Sequence, residues 1–538
     1  MSDAQKNQNF IQGTALLALA TAIVKVIGAL YKIPLNAIIG EKGFGYFNTA
    51  YEIYNVLLMV STAGLPVAMS RMISQANSLG HYAQVRRIYA TARGIFLALG
   101  ISGSLLMTLL CRQLAQFQNQ PDAWAAIGCL GPCVLLVCIM STYRGFFQGQ
   151  SNMIPTSISQ VLEAVVKLVV GIAAAIALLR LTGQIPLAAG GAILGVTASC
   201  LVSAIYLQVC FRRSFSLLPA SEEAPRSYGD TARGLLAIAV PITVGSAALQ
   251  IFTVLETKIY MGQLLNLGYS QDSADTMRGI YGMTQTIFNM PCAFTTPITI
   301  SIIPAITAQL TTCHEEEALE TTESGIRITG LLCMPCAFGL VLLARPVTAL
   351  LGGYSGENLT LATRLMAILG ICVAFNGISF VSTAILQAYG HAVRAMLNML
   401  LGGLLNLAAV YIFTGNPNIH IMGTPLGLLV CYLSITILNL YSMHTLLPRA
   451  PAVFKNLIPS TLASAIMGAG VWLFYRLLCR IDIAGFLQAR IANLVLCALP
   501  ILVGVLIYLV AAVKLKAITR DDCLLLPKGE KIARFLKL

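Results

Sequence analysis

Residues 10–38 read FIQGTALLALATAIVKVIGALYKIPLNAI, an apolar run broken by two lysines, Lys25 and Lys32. About 20 apolar residues in a helix cross roughly 30 Å of hydrocarbon. The run is too long for a signal peptide and lacks a small-residue cleavage site, so it reads as a retained membrane helix. Similar runs recur along all 538 residues, of which 57% are hydrophobic and only 10% charged. A soluble chain carries about 25% charged residues, and the alternating segments of a β-barrel are absent. The fold class is therefore an all-α integral membrane protein.

A window of about 20 residues predicts about fourteen transmembrane helices, at 12–38, 44–68, 88–111, 124–148, 155–180, 187–211, 234–261, 279–308, 325–349, 363–388, 395–414, 421–446, 457–479 and 488–513. An even number puts both termini on one side. Lysine and arginine on that side, including Arg86, Arg87, Arg93, Arg212 and Arg213, outnumber those opposite, including Lys42, Arg112 and Arg278, by better than two to one. Both termini are thus expected in the cytoplasm. The net charge of +13 signals topology and contact with anionic membrane lipids, with no nucleic-acid partner.

The two halves of the chain match weakly but in order. Phe147-Gln148 and Lys167 correspond at one offset to Leu386-Gln387 and Asn406; Gly45 and Ile53-Tyr54-Asn55 correspond to Gly279 and Ile287-Phe288-Asn289; Lys32-Ile33 answers Lys258-Ile259. Two six-helix lobes related by a pseudo-two-fold along the membrane normal follow, with two C-terminal helices left over. The expected divisions are 1–220 for the N-lobe, 221–447 for the C-lobe, 448–515 for helices 13 and 14, and 516–538 for a cytoplasmic amphipathic tail.

Charges inside the membrane carry the functional expectation. A charged side chain at the bilayer centre costs at least about 2.5–3.5 kcal/mol, so it faces a partner or a wet cavity. Lys25 and Lys32 lie two turns apart on one helix face, and Lys258 holds the matching place in helix 7. Snorkelling from a helix end is the competing account, strongest for Lys32. Glu163 and Lys167 form an i,i+4 pair that either neutralises itself or lines a cavity. Glu52 has no obvious local partner; pairing with a helix 1 lysine or binding a coupling cation are the options. Glu256 lies two residues from Lys258, on a different face. Asn55 and Asn289 could hydrogen-bond sugar hydroxyls, although most such residues join helices. Cys333 and Cys336 form a C-x-x-C within an apolar helix, where packing is the better reading. The five histidines form no metal cluster, and no phosphate-cradling loop marks an ATP motor. No cofactor is expected; energy would come from the membrane potential, H+ or Na+.

Several motifs resemble a known family. They are Gly64-Leu-Pro-Val-Ala-Met-Ser-Arg71, Tyr143-Arg-Gly-Phe-Phe-Gln-Gly149 with Arg144, Met153-Ile-Pro-Thr-Ser-Ile-Ser-Gln160 followed by Glu163, Ser301-Ile-Ile-Pro-Ala305, Ile385-Leu-Gln-Ala-Tyr-Gly390 and Leu526-Pro527. Over essentially the whole chain these resemble the polysaccharide-biosynthesis branch of the multidrug/oligosaccharidyl-lipid/polysaccharide exporter superfamily, in the stage V sporulation protein B and MurJ-like lipid II flippase group. The resemblance implies a flippase, not an enzyme, in the plasma membrane of a Gram-positive bacterium. Its cargo would be an undecaprenyl-diphosphate-linked sugar such as lipid II, moved to the outer leaflet by alternating access, with the lipid tail in a groove of helices 13 and 14. Cell-wall synthesis enzymes are implied partners.

Gram-negative members of the group carry arginines in helices 1, 2 and 8. Here Lys25 takes the first place, while Leu57-Leu58-Met59 and Gln285 stand at the others. The expected cargo-binding set is Lys25, Lys32, Lys258, Lys167, Glu163, Asn55 and Asn289, with Glu52, Glu256, Arg71 and Arg144 coupling ions or gating. The rival readings are a cation-coupled multidrug exporter and a scaffold that transports nothing.

Overall fold

The computed structural model describes residues 3–515 and 517, apart from 151, 220–222, 294 and 481–488. The side chains of residues 3–23, 25, 26, 29, 241, 245, 249, 296, 297, 300, 301 and 489–491 are likewise outside the described set. Lys25 and the tail at 516–538, save Ala517, fall outside it.

The described chain is helical. Its helices are α1 (Asp3–Thr62), α2 (Leu65–Ser78), α3 (Tyr82–Leu109), α4 (Cys111–Phe117), α5 (Trp124–Gly149), α6 (Ile154–Thr182), α7 (Ile185–Ser216), α8 (Tyr228–Asn266), α9 (Gln271–Cys292), α10 (Thr295–Thr311), α11 (Glu315–Leu342), α12 (Ala344–Gly352), α13 (Gly356–Ala388), α14 (Ala392–Thr414), α15 (Gly423–Leu446), α16 (Val453–Leu478) and α17 (Ala489–Lys514).

Twelve candidate spans are long and apolar enough to cross a membrane among the described residues. The expected helices 1 and 8, which are not counted separately among these, both include residues outside the described set. Within α1, two helices meet at a kink at Gly40, between the expected helices 1 and 2; its φ of 69° belongs to the left-handed region that glycine enters without strain. Helix 8 is split into α9 and α10 after Cys292, in the stretch where Pro291 and Pro297 are unable to donate backbone hydrogen bonds. Helix 2 also ends differently from its expected 44–68. It breaks after Thr62 and resumes as α2, which continues to Ser78.

Contacts divide the chain into two compact units, Met1–Gly279 and Ile280–Leu538. In the first, α6 packs along α7, α5 lies against α3 and α7, and α1 touches α5, α6, α7 and α8. Small residues permit the closest approach, as is usual where lipid removes the hydrophobic drive between helices. A Cβ on Gly195 would stand 2.2 Å from the Gly171 Cα. In the second unit, α13 packs on α11 and α15, α14 on α15, and α16 on α11 and α17. Its core is built on Ile306, Ile326, Val381, Ile385, Leu386 and Met443. Asn439 bridges helices there, accepting from Asn398 at 2.9 Å and donating to Ser382 at 3.0 Å.

Local backbone geometry repeats along the chain. The His81 amide donates to Ala76 and the His314 amide to Gln309, both at 2.9 Å, immediately before α3 and α11. Leu110 and Leu343 join α3 to α4 and α11 to α12 with φ of −100° and −99°. After α5 and α13, Asn152 donates to Phe147 and His391 to Leu386 at 2.9 and 2.8 Å. The last pair sits at the offset of the Phe147/Leu386 sequence match. Turn chemistry thus repeats where the apolar side chains have diverged.

Candidate functional site

Gly45 on α1 and Gly279 on α9, equivalent in the sequence repeat, meet in the first unit. A Cβ on Gly45 would lie 3.1 Å from the Asp275 carbonyl oxygen, and one on Gly279 would overlap the Glu41 carbonyl oxygen at 1.7 Å. With no side chains between them, the second half of α1 and the first turns of α9 come into backbone contact. That approach delivers Arg278 to Glu52.

Arg278 is fully buried and its Nη2 forms an ion pair with Glu52 Oε1. The second carboxylate oxygen accepts from the Thr257 hydroxyl of α8 at 2.7 Å. Two charges withdrawn from water cost several kcal/mol each, and close pairing with extra hydrogen bonds offsets that cost. Arg278, counted among the outer charges, is buried, and Glu52, expected to meet a helix 1 lysine or a cation, pairs with this arginine of α9 and also lies within electrostatic reach of Lys32. The pairing was missed because Arg278 lies one residue before the predicted span. The usable signal was Gly279, whose match to Gly45 marks a close helix approach.

Lys32, half-buried on α1, lies within electrostatic reach of Lys167, Arg278 and Glu52. Among the described residues, Lys32 thus has two cations and the Glu52 carboxylate within reach. Lys167 stands with its ammonium 5.9 Å from the Tyr31 ring centroid, a cation–π position, and the Tyr31 hydroxyl donates to the Ala192 carbonyl at 3.1 Å. Glu163 pairs with Arg144 of α5 at 3.1 Å, and Arg144 Nε donates to Ser159 at 3.2 Å. The self-contained Glu163–Lys167 pair is replaced by a brace between α5 and α6, leaving Lys167 with the other cations.

Lys258 makes different contacts. Its ammonium sits 3.7 Å over Phe117 of α4, and its carbonyl accepts from Asn119 at 3.2 Å. Glu256 is buried on α8, Asn55 is half-buried on α1, and Arg71 is exposed on α2. Asn289 is exposed on the part of α9 that belongs to the second unit.

A second polar cluster ties α1, the turn before α5, α8 and α9. Gln120, fully buried, donates to Asp275 at 2.8 Å and accepts from Thr49. Gln271 donates to the same Asp275 oxygen at 3.0 Å and Tyr46 to the other, also at 3.0 Å. Gln271 further reaches the Asn119 carbonyl at 2.8 Å, which holds Asn119 at its positive φ of 55°. Sequence periodicity gave no hint of this clasp.

Comparison with known proteins agrees with the fold. Residues 10–310 match the family described as polysaccharide biosynthesis protein, and residues 274–412 match MatE. Stage V sporulation protein B of Bacillus subtilis (strain 168) is 26% identical over 450 residues, covering 82% of this chain and 85% of that protein. Lipid II flippase MurJ of the same organism is 24% identical over 484 residues, covering 86% and 88%. A solved lipid II flippase MurJ, in an inward closed conformation, superposes with a TM-score of 0.65 at 13% identity over 93% of this chain and 98% of that one. With more than half its length matched, this chain belongs to the polysaccharide biosynthesis protein family of the multidrug/oligosaccharidyl-lipid/polysaccharide exporter superfamily, whose members are membrane transporters and not enzymes.

Proposed function

We propose that the protein is a flippase for undecaprenyl-diphosphate-linked saccharides, of which lipid II is the leading candidate, in the plasma membrane of a Gram-positive bacterium. The observation that carries this reading is Lys32 lying within electrostatic reach of two further cations, Lys167 and Arg278, the latter paired with Glu52. A diphosphate crossing hydrocarbon unaided meets a desolvation barrier of many kcal/mol. Ammonium and guanidinium groups already held inside the protein replace its lost hydration, while the polyprenyl chain stays in lipid. Alternating access would carry the headgroup from cytoplasmic to outer leaflet, with both chain termini cytoplasmic.

The relatives' activities support the cargo class, and the local excess of positive charge favours an anion. A cation-coupled drug exporter, the reading favoured by the MatE match over 274–412, calls for an acidic site. The deciding measurement is lipid II appearance in the outer leaflet of flippase-depleted cells, alongside efflux of a cationic dye. Lys32→Ala and Lys167→Ala are expected to lower lipid II appearance at least about tenfold each, as loss of one partly desolvated charge contact implies, with protein abundance unchanged. Dye efflux without lipid II movement would overturn the proposal in favour of the exporter.

A further inference from the structure

The start of α3, the end of α7 and the start of α8 line an open cavity of about 690 Å³. Its wall carries Arg86, Arg87 and Arg93 from α3, Phe215 from α7 and Tyr228 from α8, with Leu97 extending it along α3. Among the described residues, no carboxylate lines it. Of the described acids near it, Glu223 pairs with His81 at 2.8 Å, and Asp230 accepts from Ser227 at 2.6 Å.

The site is built. Arg86 donates to the Leu218 carbonyl at 2.8 Å, and Arg87 lies 3.8 Å over the Tyr228 ring. Phe215 is fixed by Phe211 at 4.8 Å and by Tyr89 at 5.4 Å between ring centroids. Arg93 is exposed one turn or more further along α3, beside Gly94 and Leu97. Guanidinium groups match phosphate oxygens in geometry as well as charge. An apolar wall continuing beside them suits an acyl chain. This end of the helices is also the arginine-rich end that the charge bias assigns to the cytoplasm, where anionic lipid collects and basic pockets between helices take phosphate headgroups.

We propose that this cavity binds a phosphate-bearing headgroup presented by an anionic phospholipid of the cytoplasmic leaflet. Because Arg86 and Arg87 also hold the segment between α7 and α8, the bound headgroup braces the start of α8. The site is distinct from the cluster around Lys32, and the inference stands whatever the transported cargo.

The test is thermal melting of the purified protein titrated with dioctanoyl-phosphatidylglycerol, dioctanoyl-phosphatidylcholine or inorganic phosphate. Phosphatidylglycerol is expected to raise the melting temperature and to half-saturate at a concentration at least about tenfold below phosphatidylcholine, as two or more charge contacts imply. Arg93→Gln breaks none of the contacts that hold the α7–α8 segment, and is expected to raise that concentration about fivefold, with Arg93→Lys keeping most of the preference. The double change Arg212→Gln, Arg213→Gln, on exposed residues outside the cavity, should leave it within about twofold, since diffuse surface charge is largely screened. Equal response to both lipids, an Arg93→Gln protein indistinguishable from the parent, or an equal loss in the double variant would each overturn the proposal. Inorganic phosphate saturating as readily as phosphatidylglycerol would overturn the lipid assignment.

Discussion

At the scale of single residues, the buried pair of Glu52 and Arg278 makes the sharpest demand. Replacing either partner by leucine leaves a buried charge without its ion-pair partner and should destabilise the protein by about 3–5 kcal/mol. Removing both at once should recover most of that loss, because an apolar pair of similar volume carries no desolvation cost. Melting of the two single variants and the double variant measures the coupling directly. Losses that simply add would mean the two groups do not interact. If Arg278 also meets the cargo, the double variant regains stability without regaining transport, which separates the two roles. Gly279 makes a second residue-scale demand. A methyl group there collides with the Glu41 carbonyl at 1.7 Å, so Gly279→Ala should cost about 1–3 kcal/mol or more. Gly339→Ala, where nothing lies within 4 Å, should be neutral or mildly stabilising for a helix interior.

At the scale of elements, helix existence was legible from hydropathy, whereas helix ends and breaks followed from particular backbone chemistry. Gly40 lets two spans follow one another with a single left-handed residue. The repeated turns before α3 and α11 came from hydrogen bonds that leave no hydropathy signal. The clasp around Gln120 is the element-scale feature with the clearest consequence. It holds the turn before α5 against α1 and α9 through a fully buried amide. Gln120→Ala leaves Asp275 short of a donor and should lower stability by about 1–3 kcal/mol. Hydrogen exchange should quicken first in the opening turns of α9, before the rest of the first unit. Uniform exchange across α1 and α9 would show that the clasp holds nothing locally.

At the scale of the whole molecule, the charge bias predicts which chain ends face the cytoplasm, and native cysteines offer the check. Cys313, between α10 and α11, and Cys479, after α16, are both exposed. In variants retaining one of them, a membrane-impermeant maleimide should label Cys479 in intact cells and Cys313 only after permeabilisation. The reverse pattern would place the termini outside.

Composition and the recurrence of long apolar runs determined that this is a polytopic helical membrane protein. Ordered matches between the halves disclosed a repeat, and lysines at helix depth pointed to an anion. These are carried by local hydropathy and by the order of residues along the chain. Which charges meet was decided only by tertiary packing. Arg278 finds Glu52 across 226 positions, Glu163 prefers Arg144 to its own helical neighbour, and Lys258 settles over Phe117. Each of these pairings depends on how closely two backbones approach, which is set by small residues on surfaces that helical periodicity does not resolve.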